Sequence, residues 1–492
     1  MKSLKHNAIM NTILSVSTIV FPLITYPYVA RVLGVEMNGR LSFAQSTINY
    51  FALFATLGIT TYGIKACAQV RDNKEKLSQR VQELVIINIV TTAVVFVALV
   101  ASILLVPQFR HEWLLLAIYS LNMVLNVAGL NWMYSALEEY DYITIRSIAF
   151  KFISLILMFI FVHNPSDGYI YALITVLANV GSNVLNIIRA RKYISFKLVG
   201  NFNFKQHLKP TIVLFSTYLA VNVYTTLDHV MLGFIKNEYQ VGIYHTSVRI
   251  QTIMATLVTS IGAVLMPRLS YYVEKKEKDS FFSILKKSYK VHIMLAIPIA
   301  VFFIIYAMQT VMIIAGSKYE ASILPMQIIM VTIVTTALSN IIGMQIFIPL
   351  GKENAFLKAV VCGAIVDIVL NIFLMPKWAA VGAAIATLVA QIVQFVVQTI
   401  QGWEYVKKIF VVKDAIAITL ASVISGIISF VIVRIIPFSR MNIKLGFIAS
   451  LAVGGVIFFG VFAVILWIID YKEFTQTIEE YTKGKIKREI KG

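Results

Sequence analysis

Charged residues and cysteines are both scarce in this sequence. Asp, Glu, Lys and Arg together make up 14% of its 492 residues, whereas soluble domains carry about 25%. A soluble globular protein is therefore excluded. The two cysteines, Cys67 and Cys362, form no C-x-x-C pair and no cluster with histidines, so we expect neither a structural zinc nor a redox centre.

Motifs of several other protein classes are missing. The sequence has no G-x-x-x-x-G-K-[ST] phosphate loop, so ATP hydrolysis by this chain is not expected. The first apolar stretch, Ile9 to Ala30, lacks an A-x-A-like cleavage site, and we expect it to remain as the first membrane helix. The loops predicted to lie on the outer side are about ten residues or shorter and carry no paired carboxylates, which argues against a membrane enzyme with a catalytic outer loop. We expect a transporter and not an enzyme.

Apolar residues dominate the chain. They make up 59% of it, and apolar stretches of about twenty residues recur from Ile9 to Ile469. At a rise of about 1.5 Å per residue, such a stretch crosses a hydrocarbon core about 30 Å thick as one helix. The fourteen stretches are continuous rather than alternating, which favours helices over barrel strands. The predicted fold is an all-α polytopic membrane protein with about 14 transmembrane helices.

Lys and Arg are distributed unevenly between alternate loops. With the N-terminus inside, 33 of the 43 fall on the cytoplasmic side and 8 outside, while Arg249 and Arg434 lie within helices. Because cytoplasmic loops retain basic residues, both termini are predicted to be cytoplasmic. The formal net charge of +19 then reflects membrane topology, and we expect the lipid bilayer, not nucleic acid, as the partner of the basic loops.

Short stretches of the sequence recur about 200 to 214 residues apart. Val32-Leu33-Gly34 is echoed by Met231-Leu232-Gly233, and Glu139-Tyr140 is echoed by Glu353-Asn354. Chance similarity between apolar helices is one explanation, and an internal repeat of the kind found in alternating-access transporters is the other. The repeat predicts two pseudo-symmetric six-helix lobes with two further helices. The predicted segments are 1–204 (N-lobe, helices 1–6), 205–408 (C-lobe, helices 7–12), 409–470 (helices 13–14) and 471–492 (a basic cytoplasmic tail).

Polar side chains recur at helical spacing on several of the apolar helices. In a helix that faces lipid they would be costly, whereas in a helix that faces a cavity they would be hydrated. Hydrogen bonds between helices use the same residue types and are the alternative for any single residue. The uncharged candidates for a substrate cavity are Gln45 and Asn49 on helix 2, His245 on helix 8 and Gln391 on helix 12.

Ionisable residues well inside the helices are few, and because a charge within the membrane is costly, each of them indicates a functional role or a charge partner. Arg249 on helix 8 is the first candidate for binding an anionic substrate, and an ion pair with Asp228 on helix 7 is the alternative. Asp228 is also a cavity candidate, and Asp228 and Asp367 are candidates for coupling to a proton or a sodium ion. No metal site and no other cofactor is expected. The remaining basic candidates are Arg31 at the outer end of helix 1 and Lys65, Arg146 and Lys352 near the inner mouth.

Several runs of residues resemble the polysaccharide-repeat-unit flippases of the Wzx type. These proteins belong to the MOP superfamily, which also holds MATE drug exporters and lipid II flippases, and the resemblance covers nearly the whole chain. The runs include YPYVARVLGVEMNGRLSFAQS (26–46), LEEYDYITIRS (137–147), LDHVMLGF (227–234), MPRLS (266–270), IPLGKEN (348–354) and IVLNIFLMPKWAAVGAAIAT (368–387).

The resemblance implies transport of an undecaprenyl-diphosphate-linked oligosaccharide across a bacterial cytoplasmic membrane for surface polysaccharide biosynthesis. The sugar and diphosphate would pass through a central, cation-lined cavity while the polyprenyl tail stays in lipid. Polysaccharide polymerase machinery is an expected partner. The chain departs from the family pattern at Asp367, where Asn is frequent, and at Gln391, where Glu is frequent. No acidic coupling residue on helix 12 is therefore transferred from the family to this chain.

Two transporters of the same superfamily are the alternatives. A MATE-like cation or drug antiporter needs acidic residues in the N-terminal half, and helix 1 has none. A lipid II flippase would also carry a diphosphate-linked lipid through a cation-lined cavity, but the head group of that lipid is different. The driving force also stays open, between ion coupling and transport drawn along by polymerisation on the far side.

Overall fold

The apolar stretches form long α-helices in the computed structural model, which describes residues 4–200, 202–438 and 442–469. Ten helices in this part of the chain are long and apolar enough to cross a membrane. The predicted class, an all-α protein with many membrane helices, is confirmed; the count of fourteen stays a prediction. The predicted basic tail, 471–492, lies outside the described residues.

The chain divides into two compact units, Met1–His245 and Thr246–Gly492. The predicted lobe boundary at residue 204 stays a prediction. Unit 1 contains α1 (Leu4–Thr56), α2 (Ile59–Ala68), α3 (Lys74–Leu105), α4 (Pro107–His111), α5 (Trp113–Val127), α6 (Asn131–Ala136), α7 (Tyr140–Phe161), α8 (Gly168–Val176), α9 (Asn183–Ala190), α10 (Lys205–Ile235) and the start of α11 (Glu238–Glu274). Unit 2 contains the rest of α11 and α12 (Lys278–Ile305), α13 (Ala307–Ile314), α14 (Ile323–Met330), α15 (Thr332–Asn340), α16 (Glu353–Gln401), α17 (Trp403–Ile409), α18 (Val412–Ile435) and α19 (Ile443–Ile468).

Two of these helices are far longer than one membrane crossing, and each contains a break. α1 has 53 residues, and Gly34 interrupts it with φ 75° and ψ 177°. α16 has 49 residues and is interrupted at Ala379, where φ is 47°. At about 1.5 Å per residue, one crossing of about 30 Å uses only about twenty residues. Gly34 suits its break because glycine adopts a positive φ without steric cost.

Two glycines bring the start of α11 against α1. A Cβ atom on Gly39 would lie 1.7 Å from the backbone oxygen of Glu238, and one on Gly242 would lie 2.1 Å from the backbone oxygen of Val35. Only glycine permits backbones to approach this closely. Gly39 and Gly242 thus form a close contact between α1 and α11 within unit 1.

Each unit has its own apolar core. In unit 1, buried side chains of α2, α3 and α6, among them Leu84, Trp132 and Met133, pack together. In unit 2, Leu285, Phe347 and Leu466 belong to a core that joins α12, the π-helical turn Ile341–Phe347 and α19. Many other apolar side chains lie on the outer surface, as expected for helices that face lipid.

Candidate functional site

Arg146 lies in the second turn of α7 and is 6% exposed. Its guanidinium donates hydrogen bonds to the side-chain oxygens of Asn186 and of Asn131, the latter at 2.8 Å. Its Nε is buried and has no hydrogen-bond partner among the described residues. Neutral amides, not carboxylates, hold this cation. We call Asn131, Arg146 and Asn186 the Arg146 cluster.

The local fold fixes the two asparagines of the Arg146 cluster. Asn186 on α9 donates to the backbone oxygen of Gly129, and Tyr134 donates to the backbone oxygen of Asn186 at 2.6 Å. Asn131 opens α6 directly after Leu130, whose φ of 47° turns the chain sharply between α5 and α6. α6, α7 and α9 are thereby joined around one guanidinium.

A second arginine shares an aromatic ring with the Arg146 cluster. The ring centroid of Tyr142 lies 5.4 Å from the guanidinium carbon of Arg146 and 4.1 Å from that of Arg189. Arg189, in contrast, forms a 2.9 Å ion pair with Glu139. Arg146 therefore keeps a positive charge that no acidic side chain in the cluster neutralises. A buried, partly unsatisfied guanidinium of this kind suits an anionic ligand such as a phosphate.

A second polar group lies where α10 and α11 meet in unit 1. Tyr244 donates a 2.5 Å hydrogen bond to the buried carboxylate of Asp228. Next to them, His229 is 6% exposed, and neither of its ring nitrogens has a partner among the described residues. The rings of His229 and His245 are 5.6 Å apart, and His245 also meets Tyr26 at 5.7 Å. Two predicted residues, Asp228 and His245, thus lie in one group of titratable side chains.

Of the four predicted residues in unit 2, three lie on α11 and α16. Arg249 on α11 is half-buried, and its Nε is buried without a hydrogen-bond partner among the described residues. Asp367 on α16 is 1% exposed and lies one turn from the equally buried Asn371. Gln391 accepts hydrogen bonds from Thr335 at 3.1 Å and Thr336 at 2.8 Å, so it joins α16 to α15. For Gln391 these contacts match the alternative of hydrogen bonding between helices.

Lys352 contacts Glu404 and Tyr405, two residues that line a cavity of about 330 Å³. The Lys352 ammonium donates to Glu404 at 3.0 Å and to Tyr405 at 3.3 Å. Hydrogen bonding with Glu404 raises the pKa of Lys352, and hydrogen bonds from Tyr405 and Lys352 lower the pKa of the Glu404 carboxyl. The positive charge of Lys352 is thus already partly compensated.

The remaining four candidates lie in unit 1 and are more accessible than Arg146. Arg31 and Asn49 on α1 and Lys65 on α2 are exposed, and Gln45 on α1 is half-buried. Arg249 and Asp228 belong to different compact units, so the ion pair between them stays a prediction.

The sequence analysis missed a buried acid–base network at the start of α10. The carboxylate of Glu83 on α3 lies 2.7 Å from Nε2 of His207 and accepts a 2.7 Å hydrogen bond from the backbone nitrogen of Asn203. Both side chains are almost fully buried, and the Tyr62 hydroxyl meets the other ring nitrogen of His207 at 3.0 Å. The network fastens the chain entering α10 onto α3.

Glu83→Ala is expected to lower the stability of the folded protein by about 2–6 kcal/mol. His207 and the Asn203 amide would each lose a buried partner, at about 1–3 kcal/mol apiece. Thermal unfolding in detergent, followed by intrinsic fluorescence, measures the loss. Glu75→Ala, an exposed change on the same helix, is the control and should shift the midpoint only slightly. Equal shifts for both variants would contradict a fastening role for the network.

The chain is similar in sequence to known proteins. Residues 4–273 match the model of a protein family described as polysaccharide biosynthesis protein. Over 391 residues the chain is 24% identical to an Escherichia coli (strain K12) protein named "Putative O-antigen transporter", an alignment that covers 79% of this chain and 94% of that protein. Over 190 residues it is 22% identical to the "Probable low-salt glycan biosynthesis flippase Agl15" of Haloferax volcanii, covering 39% of each.

Solved structures share the fold at low sequence identity. The structure titled "Lipid II flippase MurJ, inward closed conformation" aligns with a TM-score of 0.73 and 14% identity, covering 94% of this chain and 99% of that one. An inward-facing multidrug resistance MATE family transporter of the MOP superfamily aligns with a TM-score of 0.59 and 13% identity, covering 79% and 99%. The predicted transporter fold is confirmed.

Proposed function

The chain belongs to the polysaccharide biosynthesis protein family, and from this premise we propose that it is a flippase for lipid-linked oligosaccharides. The observation that carries the proposal is the family match over 4–273, joined by a relative named as an O-antigen transporter that aligns over 94% of its length. The cargo we propose is an undecaprenyl-diphosphate-linked repeat unit. It would move from the cytoplasmic to the outer leaflet of a bacterial cytoplasmic membrane, with both termini of the chain in the cytoplasm.

The chemistry of the Arg146 cluster supports an anionic cargo. A diphosphate needs cationic donors, and an arginine held by amides can bind phosphate without first breaking an ion pair. Asn131 and Asn186 orient the guanidinium and leave its Nε unused. We assign Arg146 a role in binding the diphosphate; the predicted role of Arg249, in unit 2, in binding an anionic substrate stays a separate prediction.

The acidic residues of unit 1 argue against a cation antiporter. A buried carboxylate that binds protons, sodium or cationic drugs should be available to them, but Glu83 meets His207 and Glu112 meets Arg40 at 2.7 Å each. Asp228 accepts from Tyr244. A carboxylate that already faces a basic side chain, as Glu83 and Glu112 do, attracts a transported cation less strongly than an unpaired carboxylate would.

The proposal also concerns what drives transport in one direction. Asp228 and Asp367 are buried ionisable groups within helices, the usual position of coupling residues in transporters. We propose that a proton or a sodium ion bound at one of them, or polymerisation that consumes the cargo, gives transport its direction. Flipping under an imposed proton or sodium gradient, compared with flipping under no gradient, separates these routes.

Deleting the gene for this chain in its source organism tests the function in cells. The expected result is loss of one surface polysaccharide together with accumulation of the lipid-linked oligosaccharide on the cytoplasmic side. Supplying the wild-type chain should restore the polysaccharide, whereas Arg146→Met should not. Unchanged surface polysaccharide after deletion would overturn the proposal.

A further inference from the structure

Three side chains with metal-binding atoms meet where α4 ends and α11 begins. His111 is the last residue of α4, Glu112 joins α4 to α5, and Glu238 is the first residue of α11. One donor atom from each of them lies within 4.8 Å of the other two. Ligands of one zinc ion stand about 2.0–2.2 Å from the metal, so small side-chain rotations would bring these three atoms into range.

The side chain of Glu112 provides a second, independent observation. Its side chain is 1% exposed, and Oε1 accepts a 2.7 Å hydrogen bond from Nε of Arg40. His111 also meets Oε1, with Nδ1 at 2.9 Å. The other oxygen, Oε2, is buried and has no hydrogen-bond partner among the described residues. A buried carboxylate oxygen without a partner costs about 1–3 kcal/mol or more, so an occupant is expected.

The geometry around Glu112 matches that of a metal-ligating carboxylate. In such sites a neighbouring side chain commonly donates a hydrogen bond to one carboxylate oxygen, and the other oxygen binds the metal. Arg40 supplies that bond and is itself held by the Tyr169 hydroxyl at 2.9 Å. We propose that His111, Glu112 and Glu238 bind a divalent transition-metal ion such as Zn²⁺.

Charge sets the expected strength and selectivity of this site. Arg40 and Glu112 cancel formally, so Glu238 brings the remaining negative charge and a bound divalent ion leaves the group at about +1. Binding should therefore be moderate rather than extremely tight. A nitrogen ligand beside two carboxylates favours Zn²⁺, Co²⁺ or Ni²⁺ over Mg²⁺ and Ca²⁺, which prefer oxygen alone. His111 is 67% exposed, which gives an ion access from solvent.

A bound ion would also join two elements of unit 1 that are distant in the sequence. It would tie the corner between α4 and α5 to the first turn of α11, beside the contact of Gly39 with the Glu238 backbone. A ligand stabilises whichever conformation binds it, so the ion should favour the arrangement seen here and slow transport. This consequence rests on the proposed function, whereas binding itself does not.

The test uses full-length protein purified in detergent with an affinity tag that contains no histidine. Bound metal is first removed with EDTA, and the EDTA is then removed at pH 7.5. Isothermal titration calorimetry with Zn²⁺ and absorption spectra with Co²⁺ then report binding. We expect one ion per chain, and at least tenfold weaker binding for His111→Ala and for Glu238→Gln. The matched controls, His163→Ala and Glu320→Gln, change exposed residues elsewhere and should bind as wild type does.

Absence of a stoichiometric site in the wild-type protein would overturn the proposal. So would equal affinity of the site variants and the controls, since that result indicates an adventitious ion only. His111 is exposed and Glu238→Gln keeps the side-chain shape, so both variants should fold, and gel filtration checks this. If Zn²⁺ binds and flipping is absent under all conditions, the metal site stands and the proposed function fails.

Discussion

Arg146→Met is expected to reduce flipping of an oligosaccharide diphospholipid by about tenfold to a hundredfold. The change removes the guanidinium that we assign to the diphosphate and keeps a side chain of similar length. A hydrogen bond to a charged group contributes about 1.5–3 kcal/mol, and about 1.4 kcal/mol corresponds to a factor of ten. Vesicles that contain equal amounts of wild type and variant provide the rates.

Two further variants separate binding from folding at this position. Arg146→Lys keeps the positive charge and should retain part of the activity. It loses the planar guanidinium group that donates to both Asn131 and Asn186. Arg189→Ala removes a neighbouring arginine that is paired with Glu139 and should affect transport less than Arg146→Met. If the folded Arg146→Met protein flips lipid at the wild-type rate, Arg146 does not bind the cargo.

Gly39→Ala is expected to destabilise the protein strongly and to abolish transport. The added Cβ would lie 1.7 Å from the backbone oxygen of Glu238, so α1 and the start of α11 would have to move apart. Overpacking at a less rigid contact already costs about 1–3 kcal/mol, and a backbone oxygen cannot rotate away as a side chain can. The thermal unfolding midpoint and the yield of monodisperse protein measure the effect.

Gly460→Ala is the matched control for this prediction. Gly460 lies in α19, and a Cβ there would have no heavy atom within 4 Å. Alanine should be neutral or slightly stabilising in this helix, since it restricts the unfolded chain. A folded, active Gly39→Ala protein would show that the contact between α1 and α11 is not tight.

The class of the fold could be predicted because hydropathy is a local property. A run of about twenty apolar residues predicts a membrane helix whatever its neighbours are. The close packing at Gly39 and Gly242 could not be predicted in the same way. Their role was not visible, because Glu238 and Val35 meet them only after folding, from distant parts of the chain.

The candidate site was predictable in kind but not in detail. The positive-inside distribution drew attention to Arg146, but its amide partner Asn186 lies 40 positions away and no periodicity connects the two. Glu83 and His207, 124 positions apart, gave no signal for the same reason. His229 was overlooked beside Asp228, since one histidine in an apolar helix looks like an ordinary core residue. Gln391 was noticed as part of a polar stripe, and the stripe could not show that Thr335 and Thr336 bind it.

The most direct test of the proposed function is flipping by purified wild-type protein in vesicles. A labelled undecaprenyl-diphosphate oligosaccharide from the source organism is placed in both leaflets, and a reagent confined to the outside modifies the accessible sugar. A flippase should let nearly all of the label react, while protein-free vesicles stop at about half, the share of one leaflet. If the fraction of label that reacts is the same with the protein as without it, and the protein instead exchanges a cationic drug for protons or sodium, the proposed flippase function is wrong.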